Sequence, residues 1–303
     1  MSLIKELENK STIRNTKGGL YYETAYDSII FDEVPSKAML KYNNVFNNKI
    51  KSRFNEYKKS LKKGESKINT GGLFCYEIIK KIMDKSCQRE VLNAMWENQK
   101  CISTGDRNVL VVADTSGSMW SNGGIPYASS IGLAIYTAQR NKGVFKDTFI
   151  TFSRKPKLHK VKGNDIIDKY KNIKAIVANT DIDKVFELIL NTMINSNGKL
   201  EDIPSHILII SDMEFDAGVY SGDGTNFDGW KKRFNVHGYE LPKIIFWNVA
   251  GHTRGFPVTK NDNDVIMISG FSTNLLEGIF DVEHFNPSNQ MLNALDKYIK
   301  LIE

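Results

Sequence analysis

Beyond residue 105 the chain alternates short apolar runs with stretches in which apolar residues recur every three or four positions. The runs VLVVAD (109–114), DTFITFS (147–153), ILIISD (207–212), KIIFWNVA (243–250) and VIMISGF (265–271) predict strands, and LHKV at 158–161 is a weaker sixth. Helical spacing fills the intervals near 127–140, 164–174, 182–195, 227–237 and 272–280, with a final helix from about 287. Nearly continuous Val/Ile runs belong to strands buried on both faces, and the alternating helices supply the cover. The expected fold class is α/β, doubly wound around a mainly parallel central sheet and preceded by a small helical region.

That helical region has a different texture. Residues 1–35 are polar and turn-rich around Lys17-Gly18-Gly19. From Ser36, the positions Met39, Leu40, Tyr42, Val45, Phe46, Ile50, Phe54, Tyr57 and Leu61 fit one face of a long helix that stops near Gly64. A second helix is expected from Glu77 to about Lys100, with a break near Ser86. The expected division is a basic, mainly helical part over 1–105 and an α/β part over 106–303.

Charge sharpens the contrast. The whole chain carries a formal +6, yet residues 36–100 hold fifteen Lys/Arg against six Asp/Glu. Residues 49–67 concentrate eight of these bases, with Phe54 and Tyr57 between them. Basic residues interleaved with aromatics suit single-stranded nucleic acid, and Lys58, Lys59, Lys62 and Lys63 are the candidate contacts. The competing reading is a solvated helix face, because the two aromatics keep the helical apolar spacing and pack inward.

Cys75, Cys87 and Cys101 form an odd set without a CxxC pair, against a disulfide framework or zinc knuckle and in favour of a reducing compartment. MSLIKELENK lacks a signal-peptide core, and no apolar stretch approaches a membrane span, so a soluble cytoplasmic protein is expected. The five histidines show no metal-ligand spacing, and DAGVYSGDGTNFDGW (216–230) lacks the EF-hand order, leaving a surface loop. GxSxG, GxxxxGK[ST] and a GxGxxG after the first strand are all missing from the sequence. Phosphatases with an aspartyl nucleophile need a second acid two residues on, where this chain has Ser116. The expectation is a protein that binds and does not catalyse.

In doubly wound sheets ligands bind beyond the carboxyl ends of the strands. The first run delivers Asp114, Ser116 and Ser118 there, and ILII delivers Ser211-Asp212; Asn179-Thr180-Asp181 precedes the helix at 182. All are oxygen donors without His or Cys, a set that suits Mg2+, Mn2+ or Ca2+ over zinc. The bland alternative is a strand-to-helix turn with an N-cap.

Asp114-Thr115-Ser116-Gly117-Ser118 resembles the DxSxS motif of von Willebrand factor A domains, the first segment of their metal-ion-dependent adhesion site. Thr180 and Asp212 match that family's second and third segments in order and context. The resemblance implies that Ser116, Ser118 and Thr180 touch a divalent cation, most simply Mg2+, through their hydroxyls. Asp114 and Asp212 would act mainly through bound water. A protein partner's carboxylate would complete the shell.

SDMEFD (211–216), IIFWNV (244–249) and SGFSTNLL (269–276) resemble the Ro autoantigen type, and a family of unknown function that joins a TROVE-like helical region to this domain. In Ro-type proteins a ring of helical repeats binds small RNAs; residues 1–105 are too short for such a ring. RNA therefore stands as the alternative partner, reached through the basic helices. Asp181 has two readings, a cap for the helix at 182–195 or part of the metal's outer shell. Trp120 and Asn122, with Gly123-Gly124, form either a rim for the partner or a plain connection.

Overall fold

The computed structural model describes residue 26 and residues 28–100, 108–151, 155–173, 182–213, 227–250 and 265–271. Contacts divide the chain into two units. One holds Lys80–Lys100, Asp165–Ile167 and the described residues up to Leu73; the other holds Phe74–Ile79 and the remaining described residues.

The helical unit contains α1 (Ser36–Lys49), α2 (Lys51–Lys63), the end of α3 (Cys75–Met83) and α4 (Arg89–Glu97). The single long helix expected from Ser36 is in fact two. Ile50 leaves helical geometry at φ −132°, ψ 48°, although its N–H still reaches the Phe46 carbonyl at 3.0 Å. Periodicity missed the break because Ile50 is itself apolar and buried, so the 3.6-residue pattern runs through it. The break brings Phe46 and Phe54 to 5.8 Å and lets Phe31 stack on Tyr57 at 4.8 Å, a buried aromatic cluster. Arg53 ties the preceding segment to this cluster, donating to the carbonyls of Tyr26 (2.9 Å) and Ile29 (3.0 Å).

Gly64 ends α2 as a left-handed cap (φ 74°), its N–H on the Leu61 carbonyl, while the Glu65 N–H takes that of Ser60. The second expected helix is also two, α3 and α4, parted at Lys85 (φ 51°). Buried Asn43 bridges the gap by accepting the Gln88 N–H at 3.1 Å.

The second unit is built on a six-stranded sheet: β1 (Val109–Ala113), β2 (Thr148–Thr151), β3 (Lys157–Lys160), β4 (His206–Ser211), β5 (Lys243–Asn248) and β6 (Val265–Ser269). Its order is β3-β2-β1-β4-β5-β6; only β3 runs antiparallel, against β2. This is the doubly wound α/β class that the hydrophobic runs imply, with all six expected strands present. Its helices are α5 (Ser121–Ala138), α6 (Ile166–Lys171), α7 (Ile182–Asn195) and α8 (Phe227–Val236), with the first two residues of α6 in the helical unit. The helices expected at 272–280 and from 287 lie outside the described residues.

One sheet face presents Leu110, Val112, Ile207, Ile209, Ile244 and Phe246 to Val185, Phe186 and Ile189 of α7 and Phe234 of α8. The other face is covered by α5, which packs on β1, β2 and β4. Cover on both sides is the physical reason that the strands read as unbroken apolar runs. α5 also lies close to the start of α3: a Cβ on Gly132 would stand 3.1 Å from the Cys75 Cβ and 3.2 Å from its backbone. Among the described residues, no helix is long and apolar enough to cross a membrane.

Candidate functional site

The strand order reverses between β1 and β4, which lie side by side and parallel. This is a topological switch point, where the connections leave to opposite sides and open a crevice at the strands' carboxyl ends. Asp114 stands there directly after β1, its N–H still in the ladder on the Ile210 carbonyl at 2.9 Å. Ser211 ends β4 and Asp212 follows it.

Both oxygens of the Asp114 carboxylate are engaged. Oδ1 accepts the Ser116 N–H at 2.8 Å, an Asx turn that folds the chain back after the strand. Oδ2 accepts the Ser211 hydroxyl at 2.6 Å. That hydroxyl in turn accepts the Met213 N–H at 3.1 Å and lies 3.5 Å from Asp212 Oδ1. The turn leads into a short 3-10 helix, Ser118–Trp120, which places the Ser116 and Ser118 hydroxyls 3.0 Å apart.

Asp114 and Asp212 are both buried, at 1% and 4% exposure, while Ser116 and Ser118 are partly open. Burial pushes the Asp114 carboxyl above the usual carboxylate range, and the charge of Asp212 pushes it further; the bonds from Ser211 and Ser116 pull the other way. Two buried carboxyl groups thus stand near one another, and a bound divalent cation would favour their charged forms. The hydroxyl spacing is compatible with such an ion. With metal–oxygen distances of about 2.1 Å, neighbouring ligands of a Mg2+ octahedron stand about 3.0 Å apart. The side chains brought together here, Asp114, Ser116, Ser118 and Asp212, offer oxygen donors. Among the described residues no three His, Cys, Asp or Glu side chains form a group that could hold a metal ion.

Of the residues singled out in the sequence, Asp114, Ser116, Ser118 and Asp212 thus converge. Thr180 and Asp181 lie outside the described residues. Trp120 is half exposed and stacks on buried Tyr127 at 4.4 Å between centroids. Asn122 is exposed at φ 50°, the first of three consecutive positive-φ residues with Gly123 and Gly124. The four lysines do not share a face. Lys59, Lys62 and Lys63 are exposed, but Lys58 is buried, with Nζ 3.3 Å from Asn47 Oδ1 and 5.4 Å from the Phe54 ring centre. Lys58, a possible nucleic-acid contact in the sequence, is thus packed beside the Phe54 ring and not presented with the other three. Ser211 was visible as a strand-end hydroxyl, but its bond to Asp114 requires the β1–β4 pairing and has no signal in the local sequence.

Fold and site together define a class: a doubly wound α/β domain with an acid-and-hydroxyl crevice at its switch point, accompanied by a helical unit. The chain belongs to the family described as domain of unknown function DUF7788, whose model matches residues 108–298. A second model, domain of unknown function DUF2828, matches residues 21–112. An uncharacterized protein of Acanthamoeba polyphaga mimivirus is 31% identical over 293 residues, covering 90% of this chain and 51% of that protein. The crystal structure of the Deinococcus radiodurans Ro (RSR) protein aligns with a TM-score of 0.48 at 13% identity, over 86% of this chain and 54% of that one. The chain spans about half the length of both.

Proposed function

We propose that the chain is a non-enzymatic binding module that grips an acidic side chain of a protein partner through a divalent cation, most simply Mg2+. The observation that carries this reading is the Asp114–Asp212 pair, buried together at the switch point and flanked by the Ser116 and Ser118 hydroxyls. Ser116 and Ser118 would hold the ion directly, with Asp114 and Asp212 supplying negative charge behind it and Thr180 a further hydroxyl. An ion held by neutral hydroxyls, with its carboxylates already hydrogen-bonded to the protein, keeps an appetite for one more anionic oxygen. The resemblance of the Asp114–Ser118 segment to adhesion-site motifs supports the same assignment.

Calorimetric titration with Mg2+ and Mn2+ tests it. Wild type is expected to take up one ion, and Asp114→Ala none. Equal uptake by the two, or no uptake by wild type, overturns the reading.

A second reading rests on the exposed Lys59, Lys62 and Lys63 of α2, of which Lys63 also faces Glu65 at 3.6 Å. These would contact RNA phosphates, with the α/β unit as scaffold. Binding of single-stranded RNA should then weaken steeply with salt and on replacing these three lysines by Gln. Retention indifferent to both changes would exclude it.

A further inference from the structure

We propose that Ser211 is a positioning residue of the Asp114 site, its buried hydroxyl fixing the carboxylate in the orientation that receives the cation. This rests on the metal-binding reading above and adds to it Ser211, the neighbour of Asp212, which is not among the five residues that the motif assigns to the ion.

The hydroxyl of Ser211 is fully buried and has its hydrogen-bonding capacity assigned from both sides. It accepts the Met213 N–H at 3.1 Å, which directs its own proton to Asp114 Oδ2 at 2.6 Å. A serine hydroxyl has one proton, so Asp212 Oδ1 at 3.5 Å receives none of it. Oδ1 of Asp114 is held by the Ser116 N–H at 2.8 Å, on the opposite side of the same carboxylate. Two donors from two different strand ends therefore lock the plane of Asp114. The Ser116 bond alone is local and would let the carboxylate swing about its Cβ–Cγ bond. The Ser211 bond, across 97 residues of sequence, ties it to β4 and to the segment that carries Asp212.

A hydrogen-bonded partner behind a metal-binding group typically changes metal affinity by about 10–100-fold without touching the ion. A purely structural Ser211, serving only to accept the Met213 N–H at the end of β4, would change stability and leave affinity alone. The two roles separate experimentally. Mn2+ affinity by calorimetry and by electron paramagnetic resonance, together with the metal-free unfolding midpoint, would be measured for wild type, Ser211→Ala and Ser211→Thr.

The proposal expects Ser211→Ala to bind Mn2+ about tenfold or more weakly while remaining folded, and Ser211→Thr, which keeps the hydroxyl, to recover most of that loss. It is overturned if Ser211→Ala binds like wild type with only a lowered midpoint, or if a folded Ser211→Thr binds as poorly as the alanine variant. Absence of Mn2+ uptake by wild type would instead defeat the metal-binding reading and this inference with it.

Discussion

The indole N–H of Trp230 donates to Asp183 Oδ1 at 2.6 Å, fastening α8 to the first turn of α7. Trp230 is buried beside Phe186 (5.6 Å) and Phe234 (6.4 Å), so one side chain both fills the core and anchors a helix start. Trp230→Phe keeps much of the ring packing and loses the bond, and should cost about 1–3 kcal/mol. Trp230→Ala also opens a cavity and should cost about 3–5 kcal/mol. Urea unfolding midpoints with a shared slope check both values; an unchanged midpoint in Trp230→Phe would mean that the bond contributes nothing.

Asn141 stands in for a strand beside the start of β1. Its Oδ1 accepts the Val109 N–H at 3.0 Å and its Nδ2 donates to the Val109 carbonyl at 2.7 Å, all buried. Asn141→Ala leaves a donor and an acceptor without partners and should destabilise by about 2–4 kcal/mol, whereas most surface changes stay within about 0.5 kcal/mol. An Asn141→Ala protein with an unchanged thermal midpoint would refute this pairing.

His159 on β3 bonds Thr151 at 2.8 Å and stacks on Phe149, and burial, aided by the charge of Lys157, lowers its pKa below the usual 6.5. A folded-state pKa below the unfolded one favours the neutral ring. Its contribution is therefore full above about pH 6.5 and is lost as pH falls through the depressed folded value. Replacing His159 by Gln should flatten the stability profile on the acid side of pH 6.5. A profile of unchanged slope between pH 7 and pH 5 would count against the assignment.

Lys58 and its neighbours separate packing from charge. Lys58→Ala uncovers the Phe54 ring and leaves Asn47 without its ammonium partner, and should lower stability by about 1 kcal/mol. Replacing Lys59, Lys62 and Lys63 together by Gln, all exposed, should shift stability by less than about 0.5 kcal/mol. Chemical denaturation of the two variants distinguishes them; a larger loss in the triple variant would place the structural role on the wrong lysines.

Much of the α/β unit is legible in the sequence because burial writes itself into composition. Val109–Ala113 and His206–Ser211 are buried at every position, and a strand covered on both faces has no polar alternation to hide it. The gathering of Asp114, Ser116 and Ser118 is legible too, since they lie within five residues and a short turn brings them together. The Ile50 break and the inward turn of Lys58 are not legible, because an apolar kink residue preserves the helical period and a lysine's charge conceals its apolar stem.

The number and place of the described strands, and the acid and hydroxyl groups offered at the ends of β1 and β4, follow from local sequence. That β1 lies against β4, and so that Ser211 and Asp212 meet Asp114, arises only in the folded chain. Strand pairing is made by backbone groups that are the same in every residue. The choice of neighbour emerges only when helices cover both faces of the sheet, and no local stretch of sequence contains it.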